Sequence, residues 1–241
     1  MLLDPETEND IASELCKLLG RAILPVGQLD VPGGAGRGFG TAFFFQEGGG
    51  QAVREYLLTA DAVTRAPYGE IGLRPSVTEP PGAASDGIVL SDFAARWIHP
   101  PAVGAAAMPT EGLHEHAEGE GWRWRTQPVT DEAAASADAV ARIPTEPGSA
   151  FVLALGVAAD GSRPLEAVIE RLVRDGDDIR VTTELPDGHV GAPVFGVEAT
   201  AGGDLAVHCL GLVLPPEGGG HRIATFDRIR AALAAATPGE D

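Results

Sequence analysis

Apolar residues along this chain fall into two textures. In the first twenty positions they recur at helical spacing, with Ile11, Leu15, Leu18 and Leu19 on one face. Asp4-Pro5 opens that helix, because Asp caps and Pro suits a first turn, and Gly20 closes it. Beyond it the apolar positions gather into short runs that read as strands. These are AILPVGQL (22–29), GTAFFFQ (40–46), REYLLT (54–59), AFVLALGV (150–157), LEAVIERLV (165–173), IRVTTEL (179–185), APVFGVE (192–198) and LAVHCLGLVL (205–214). Turn chemistry bounds them: GGAG, EGGG, DGDD, AGGD and a second EGGG. TDEAAASADAV (130–140) predicts a short helix connecting two β halves. FDRIRAALAAA (226–236) predicts a last amphipathic helix with Phe226, Ile229 and Leu233 on one side. Many short strands joined by Gly-rich turns argue for closed or packed β structure rather than βαβ units.

Composition narrows the function classes. At 241 residues the chain can bury a sizeable core as one domain or two packed halves. Its formal net charge of −18 sets it against nucleic acid phosphates and anionic lipid, so neither is an expected partner. Cys16 and Cys209 lie far apart in apolar surroundings, without metal spacing or a disulfide framework, as in a reducing compartment. MLLDPETEND has no signal-peptide pattern, and no apolar run approaches the roughly 20 residues of a membrane span. A soluble, cytoplasmic protein is expected. Lys17 is its only lysine and alanine abounds, which suggests a GC-rich bacterial genome.

Several local patterns carry little chemistry. His114-Glu115-His116, among Glu111, Glu118 and Glu120, would place both histidines on one side of an extended chain, but no third ligand follows and no metal is expected. Trp122-Arg123-Trp124-Arg125 reads as a strand with both tryptophans covering the core, or as an aromatic–basic surface. GGAGRGFG matches neither phosphate-binding pattern, since AFFF continues as a strand, and no cofactor is expected. His208 and Cys209 alternate along a strand, with Cys209 the buried member.

LPDGHVGAPVFG (185–196) is different, because its Gly-x-x-Gly turn runs into a proline and an apolar strand as if to present Val190. It has company in order: GRGFGTAFFF (36–45), REYLLTADAVTRA (54–66), WIHPPAVGAAAMP (97–109), and HRIATFDRIRAAL (221–233) at the end. Together these segments resemble the trypsin-like (chymotrypsin-fold) serine peptidases, especially their compact bacterial branch, over nearly the whole chain after residue 20. That family places a histidine in Thr-x-x-His-Val, an aspartate after a His-Pro segment, and a serine in Gly-x-Ser-Gly-x-Pro-Val. The serine attacks a carbonyl, the histidine takes its proton, and the aspartate orients the histidine. By the resemblance those positions fall here on Ala62, Gly104 and Val190. None of the three can do its job.

The resemblance therefore implies an all-β protein of two six-stranded β-barrels with an N-terminal and a C-terminal helix, and no peptidase chemistry: a pseudoprotease. Its parts are expected at 1–20 (N-terminal helix), 21–128 (first barrel), 129–149 (connector) and 150–241 (second barrel with the last helix). A buried aspartate without its histidine costs about 3–5 kcal/mol, so joint loss should leave a relaxed apolar patch. The family's oxyanion donors would be the backbone N–H groups of Gly188 and Val190, and Glu184 would floor the specificity pocket. Gly188, His189, Val190 and Glu184 are thus the expected binding residues. The expected role is a protein- or peptide-binding or regulatory module. Two alternatives stand beside it. One is a structural subunit of a bacterial multi-protein defence or signalling system, docking through Ile11, Leu15 and Leu18. The other is an active hydrolase with a displaced group, for which Asp61 and His189 are the nearest side chains.

Overall fold

Fifteen strands and four α-helices form among the residues that the computed structural model describes: 4–34, 36–48, 53–84, 87–145, 150–157, 165–199 and 205–236. In chain order they begin with α1 (Pro5–Leu19), β1 (Ile23–Leu29), β2 (Gly36–Glu47), β3 (Arg54–Ala60), β4 (Tyr68–Gly72), β5 (Thr78–Glu79), β6 (Gly87–Ser91) and β7 (Ala105–Pro109). There follow α2 (Glu111–Gly119), β8 (Arg123–Trp124), β9 (Val129–Thr130) and α3 (Ala137–Ala141). The second half comprises β10 (Ala150–Val157), β11 (Leu165–Asp175), β12 (Asp178–Val181), β13 (Pro193–Ala199), β14 (Leu205–Glu217), β15 (Gly220–Thr225) and α4 (Phe226–Ala236).

The second half closes into a barrel in the order β10-β11-β12-β15-β14-β13, every neighbouring pair antiparallel. Among the described residues the first half does not close. Its sheet runs β6-β4-β1-β2-β3-β7, with β9 lying parallel beside β2. After β6 the chain turns at Asp92 (φ 52°) into a 3₁₀ turn at Phe93–Arg96 instead of reaching β7. Phe93 is buried against Gly69 of β4, edge-on to Trp97, and Ile98 then makes a single bridge to Ala107 of β7. The all-β architecture with end helices is the expected one, its first half taking the form of a half-barrel sheet.

Burial shows why. Alternate residues of β2 serve different cores: Ala42 and Phe44 face the first half's own interior, with Leu57, Ile71, Val77 and Trp122. Phe43 and Phe45 face a core shared by both halves, with Leu153, Leu155, Phe195, Leu212 and Phe226. The barrel lumen is a third core, around Val152, Ala154, Val194, Val213 and Ile223. The WRWR segment joins the first core, with Trp122 buried and Trp124 donating from its indole to the Leu113 carbonyl at 2.9 Å.

The end helices seal the shared core. In α1 the Asp4 carboxylate accepts from the Thr7 N–H at 3.0 Å, which also holds the Asp4 pKa below its ordinary value. Its buried face is Glu8, Ala12 and Leu15, with Arg171 of β11 meeting Glu8 at 3.2 Å. Leu18, expected on that face, is 53% exposed. In α4, Phe226, Ile229 and Leu233 are buried as their spacing implied. The connecting helix is shorter than expected, only Ala137–Ala141, capped by Ser136.

Phe226 lies 4.8 Å from Phe45 and 6.3 Å from Phe43 between ring centroids, so it joins α4 to β2 of the first half. Phe226→Ala is expected to cost about 3–5 kcal/mol, read as a lower urea midpoint at unchanged slope. A loss under about 1 kcal/mol would show that α4 does not seal the shared core.

Candidate functional site

The 185–196 segment is a turn fastened to the other half of the molecule. Pro186 leads into a 3₁₀ turn, Asp187–His189, closed by the His189 N–H on the Pro186 carbonyl at 2.8 Å. Gly191 (φ 88°) then reverses the chain, its N–H on the Val213 carbonyl at 2.8 Å. Thr41 of β2 reads the turn from the opposite side. Its N–H donates to the Val190 carbonyl at 2.8 Å, and its hydroxyl donates to the Gly188 carbonyl at 2.6 Å while accepting from the Val157 N–H at 3.0 Å. The Thr41 carbonyl accepts in turn from the Thr59 hydroxyl at 2.6 Å. The bonds of the Thr41 and Thr59 hydroxyls are buried, where an unmade bond costs about 1–3 kcal/mol.

Ala62, Gly104 and Val190 meet around this joint. Ala62 lies in the 3₁₀ turn Asp61–Val63 that ends β3, and its carbonyl accepts from the Gln28 amide at 2.9 Å. The Asp61 N–H donates to the Gly104 carbonyl at 2.8 Å, which sets Gly104 beside that turn. Gly40 has no room for a side chain, with the Val190 carbonyl on one side and Val63 on the other. Val190 itself touches both the shared core and the first-half core. Ala62 and Gly104 are exposed and Val190 half-buried, so the expected sealed apolar patch is a surface instead. Gly104 has φ 76°, and a Cβ there would stand 3.1 Å from Leu214. An aspartate at 104 would meet backbone strain of about 1–2 kcal/mol rather than desolvation.

The titratable groups nearby are committed elsewhere. Asp61 accepts from Arg65 at 2.7 and 2.9 Å and meets His99 Nδ1 at 2.5 Å. His99 Nε2 meets the Ala94 carbonyl at 2.8 Å, so both its nitrogens face acceptors and neither is left to take a proton from a nucleophile. Asp61 and His189 are not brought together. His189 is wholly buried, its ring against Gly156, where a Cβ would stand 2.7 Å away. Neither ring nitrogen reaches hydrogen-bond geometry with a partner. Burial pushes its pKa down to about 4, opposed in part by the nearby Glu166 backbone and reinforced by His221. His221 is internal too, accepting from the Leu185 N–H at 3.1 Å and meeting the Leu214 carbonyl at 2.8 Å.

Of the four expected binding residues, Gly188 and His189 are enclosed, which leaves Val190 and the exposed Glu184 with surface to offer. One of the two expected donors also differs in aim. The Val190 N–H faces the Asp187 carbonyl at 3.5 Å, inside the 3₁₀ turn, and the left-handed backbone sits on Gly191. Thr41, Thr59 and the Asp61–His99 pair were missed in the sequence, because no local pattern announces a partner 18 to 147 residues away.

The remaining candidates are structural. His114 and His116 lie on α2, where residues two apart diverge, and His114 meets Glu55 at 2.9 Å. Among the described residues no cluster of three or more metal-ligating side chains forms. Cys209 is fully buried, which pushes its thiol pKa up and keeps it inert.

No family model matches the chain, and no curated protein matches it in sequence. Its fold is similar to that of the serine endoprotease from Yersinia pestis, with a TM-score of 0.55 at 11% identity over 93% of this chain. The likeness spans 66% of that longer protein. The inactive form of the Rv3671c protease is similar at a TM-score of 0.53 and 13% identity, covering 98% of this chain and 97% of that one. The fold is thus that of the trypsin-like serine proteases.

Two outcomes follow from the joint. Gly191→Ala should cost about 3 kcal/mol, because its Cβ would press on the Thr41 carbonyl and Thr59 hydroxyl at a φ that disfavours it. A urea midpoint within error of wild type would show that the joint yields. His189 is a base whose folded pKa, about 4, lies below its ordinary 6.5. The unfolded chain therefore takes up the proton first. The resulting penalty is absent above pH 6.5, grows as pH falls, and levels off below about 4 at about 3 kcal/mol. Urea titrations across that window should fall more steeply for wild type than for His189→Leu; parallel curves would place the ring in contact with water.

Proposed function

We propose that this chain keeps the peptidase fold without peptidase chemistry and works as a protein- or peptide-binding or regulatory module. The observation that carries the reading is the meeting of Ala62, Gly104 and Val190 around one joint. A methyl, a hydrogen and an isopropyl group stand where the resemblance calls for a base, its orienter and a nucleophile. The inward Val190 N–H supports the same reading, since a donor turned to Asp187 offers little to a developing oxyanion. Against a displaced catalytic group stand the two occupied nitrogens of His99 and the enclosure of His189.

The reading places the protein in the cytoplasm, in keeping with two unpaired cysteines, Cys16 and Cys209. Among the described residues no helix is long and apolar enough to cross a membrane. The second reading, a docking subunit, is favoured by exposed Leu18 on α1, because the seam at Val190 presents so little surface.

The test is covalent. A fluorophosphonate probe should leave the native protein unlabelled, and general peptide and ester substrates should remain intact. Residual catalysis without a triad is only about 10³–10⁴-fold over water, below ordinary detection. Labelling of the native protein that disappears on denaturation would refute the reading.

A further inference from the structure

We propose that the shallow apolar groove between α1 and β14 is a docking site for a basic amphipathic helix of a partner protein. Ile11, Leu15 and Leu18 line it from α1 and Val207 from β14, with Asp10 and Glu14 at its rim, enclosing about 290 Å³. On α1 these apolar residues stand at i, i+4 and i+7, a stripe along the helix. The shared core buries Glu8, Ala12 and Leu15 and takes Ile11, Cys16 and Leu19 at its edge, which leaves Leu18 outside it. Ile11 is half-buried and Leu18 is 53% exposed, so the helix carries a second apolar shoulder beyond what its own fold covers. Leu205, two residues before Val207 on the same face of β14, is 39% exposed and extends the strip. Single exposed apolar side chains are ordinary; a contiguous run with charged edges marks a contact.

The occupant's chemistry follows from the surroundings. Glu8 is met by Arg171 and Glu14 by Lys17, the single base on α1, at 2.7 Å, so the acidic excess of the rim rests on Asp10, with Glu6 further along the helix. A chain of net charge −18 would bring like charges together if a second copy docked here, and an anionic membrane is disfavoured for the same reason. Lysines or arginines flanking an apolar stripe fit the rim. A helix fits, because the α1 stripe of Ile11, Leu15 and Leu18 at i, i+4 and i+7 offers ridges against which a second helix packs.

The proposal rests on the reading of the chain as a binding module, and its test is independent of the covalent one. The probe is a labelled helical peptide of about 18 residues, with leucines at i, i+4, i+7 and i+11 and lysines along both flanks. A twin with glutamates in place of the lysines is the control. Fluorescence anisotropy with the full chain should show the lysine peptide binding, more weakly as salt rises. Leu18→Glu and Asp10→Lys should each weaken binding by about tenfold or more. Val89→Glu, at an exposed valine of β6, should leave it unchanged. Circular dichroism and urea midpoints keep misfolded variants out of the comparison. Failure of the lysine peptide to bind, equal binding of its acidic twin, or indifference to Leu18→Glu would overturn the proposal. Self-association of the free protein abolished by Leu18→Glu would give the groove to a second copy. Binding lost with Val190→Arg but kept with Leu18→Glu would move the contact to the seam. None of these results bears on whether a serine-directed probe labels the protein.

Discussion

Strand β2 has no solvent face along its middle, and the rest of the structure is arranged around that fact. Its phenylalanines alternate between two cores, Phe44 into one half and Phe43 and Phe45 into the seam. Each buried ring is worth about 1.5–3 kcal/mol. A strand apolar on both sides does not choose its own register, because a slip of one residue exchanges one phenylalanine for another. The choice falls to Thr41. Its hydroxyl has two fixed appointments, the Gly188 carbonyl and the Val157 N–H, and a slipped strand would leave all three groups buried without partners. Hydrophobic burial holds the halves together, and one hydroxyl tells them where to sit.

That division gives the joint a structural task of its own. The turn from Asp187 to Ala192 bonds to itself, to β14 through the Val213 carbonyl and to β2 through Thr41. It is thus the place where barrel and open sheet are registered against each other. Val190 adds to this by touching two cores at once. A side chain that makes no reaction is well suited to fill a seam.

Much of the fold was legible because the signals were local. AFFF (42–45), VLALGV (152–157) and LGLVL (210–214) are apolar without alternation, and they proved to be strand segments buried on both faces. Phe226, Ile229 and Leu233 kept their helical promise. The failures were non-local or competed with local chemistry. The path after β6 depends on Asp92 turning left-handed and Phe93 burying its ring over Gly69, which no periodicity encodes. Glycines at 112 and 119 diluted the helical signal around His114 and His116, so an extended segment was expected where α2 forms. At the site, ordered motifs marked the neighbourhood of residues 62, 104 and 190. The burial of His189 was hidden, since Asp-Gly-His reads as a polar turn until Gly156 is found beneath the ring.

The left-handed backbone at Gly104 bears on how such a chain could change over generations. Serine at 190 and histidine at 62 are each reachable in sequence space without asking the main chain for a new shape. The third step is not. Any side chain at 104 must first be reconciled with φ 76° and with Leu214 close by. A lineage that acquired the first two residues would gain little until the loop itself was rebuilt, so a backbone shape that only glycine takes easily works as a ratchet.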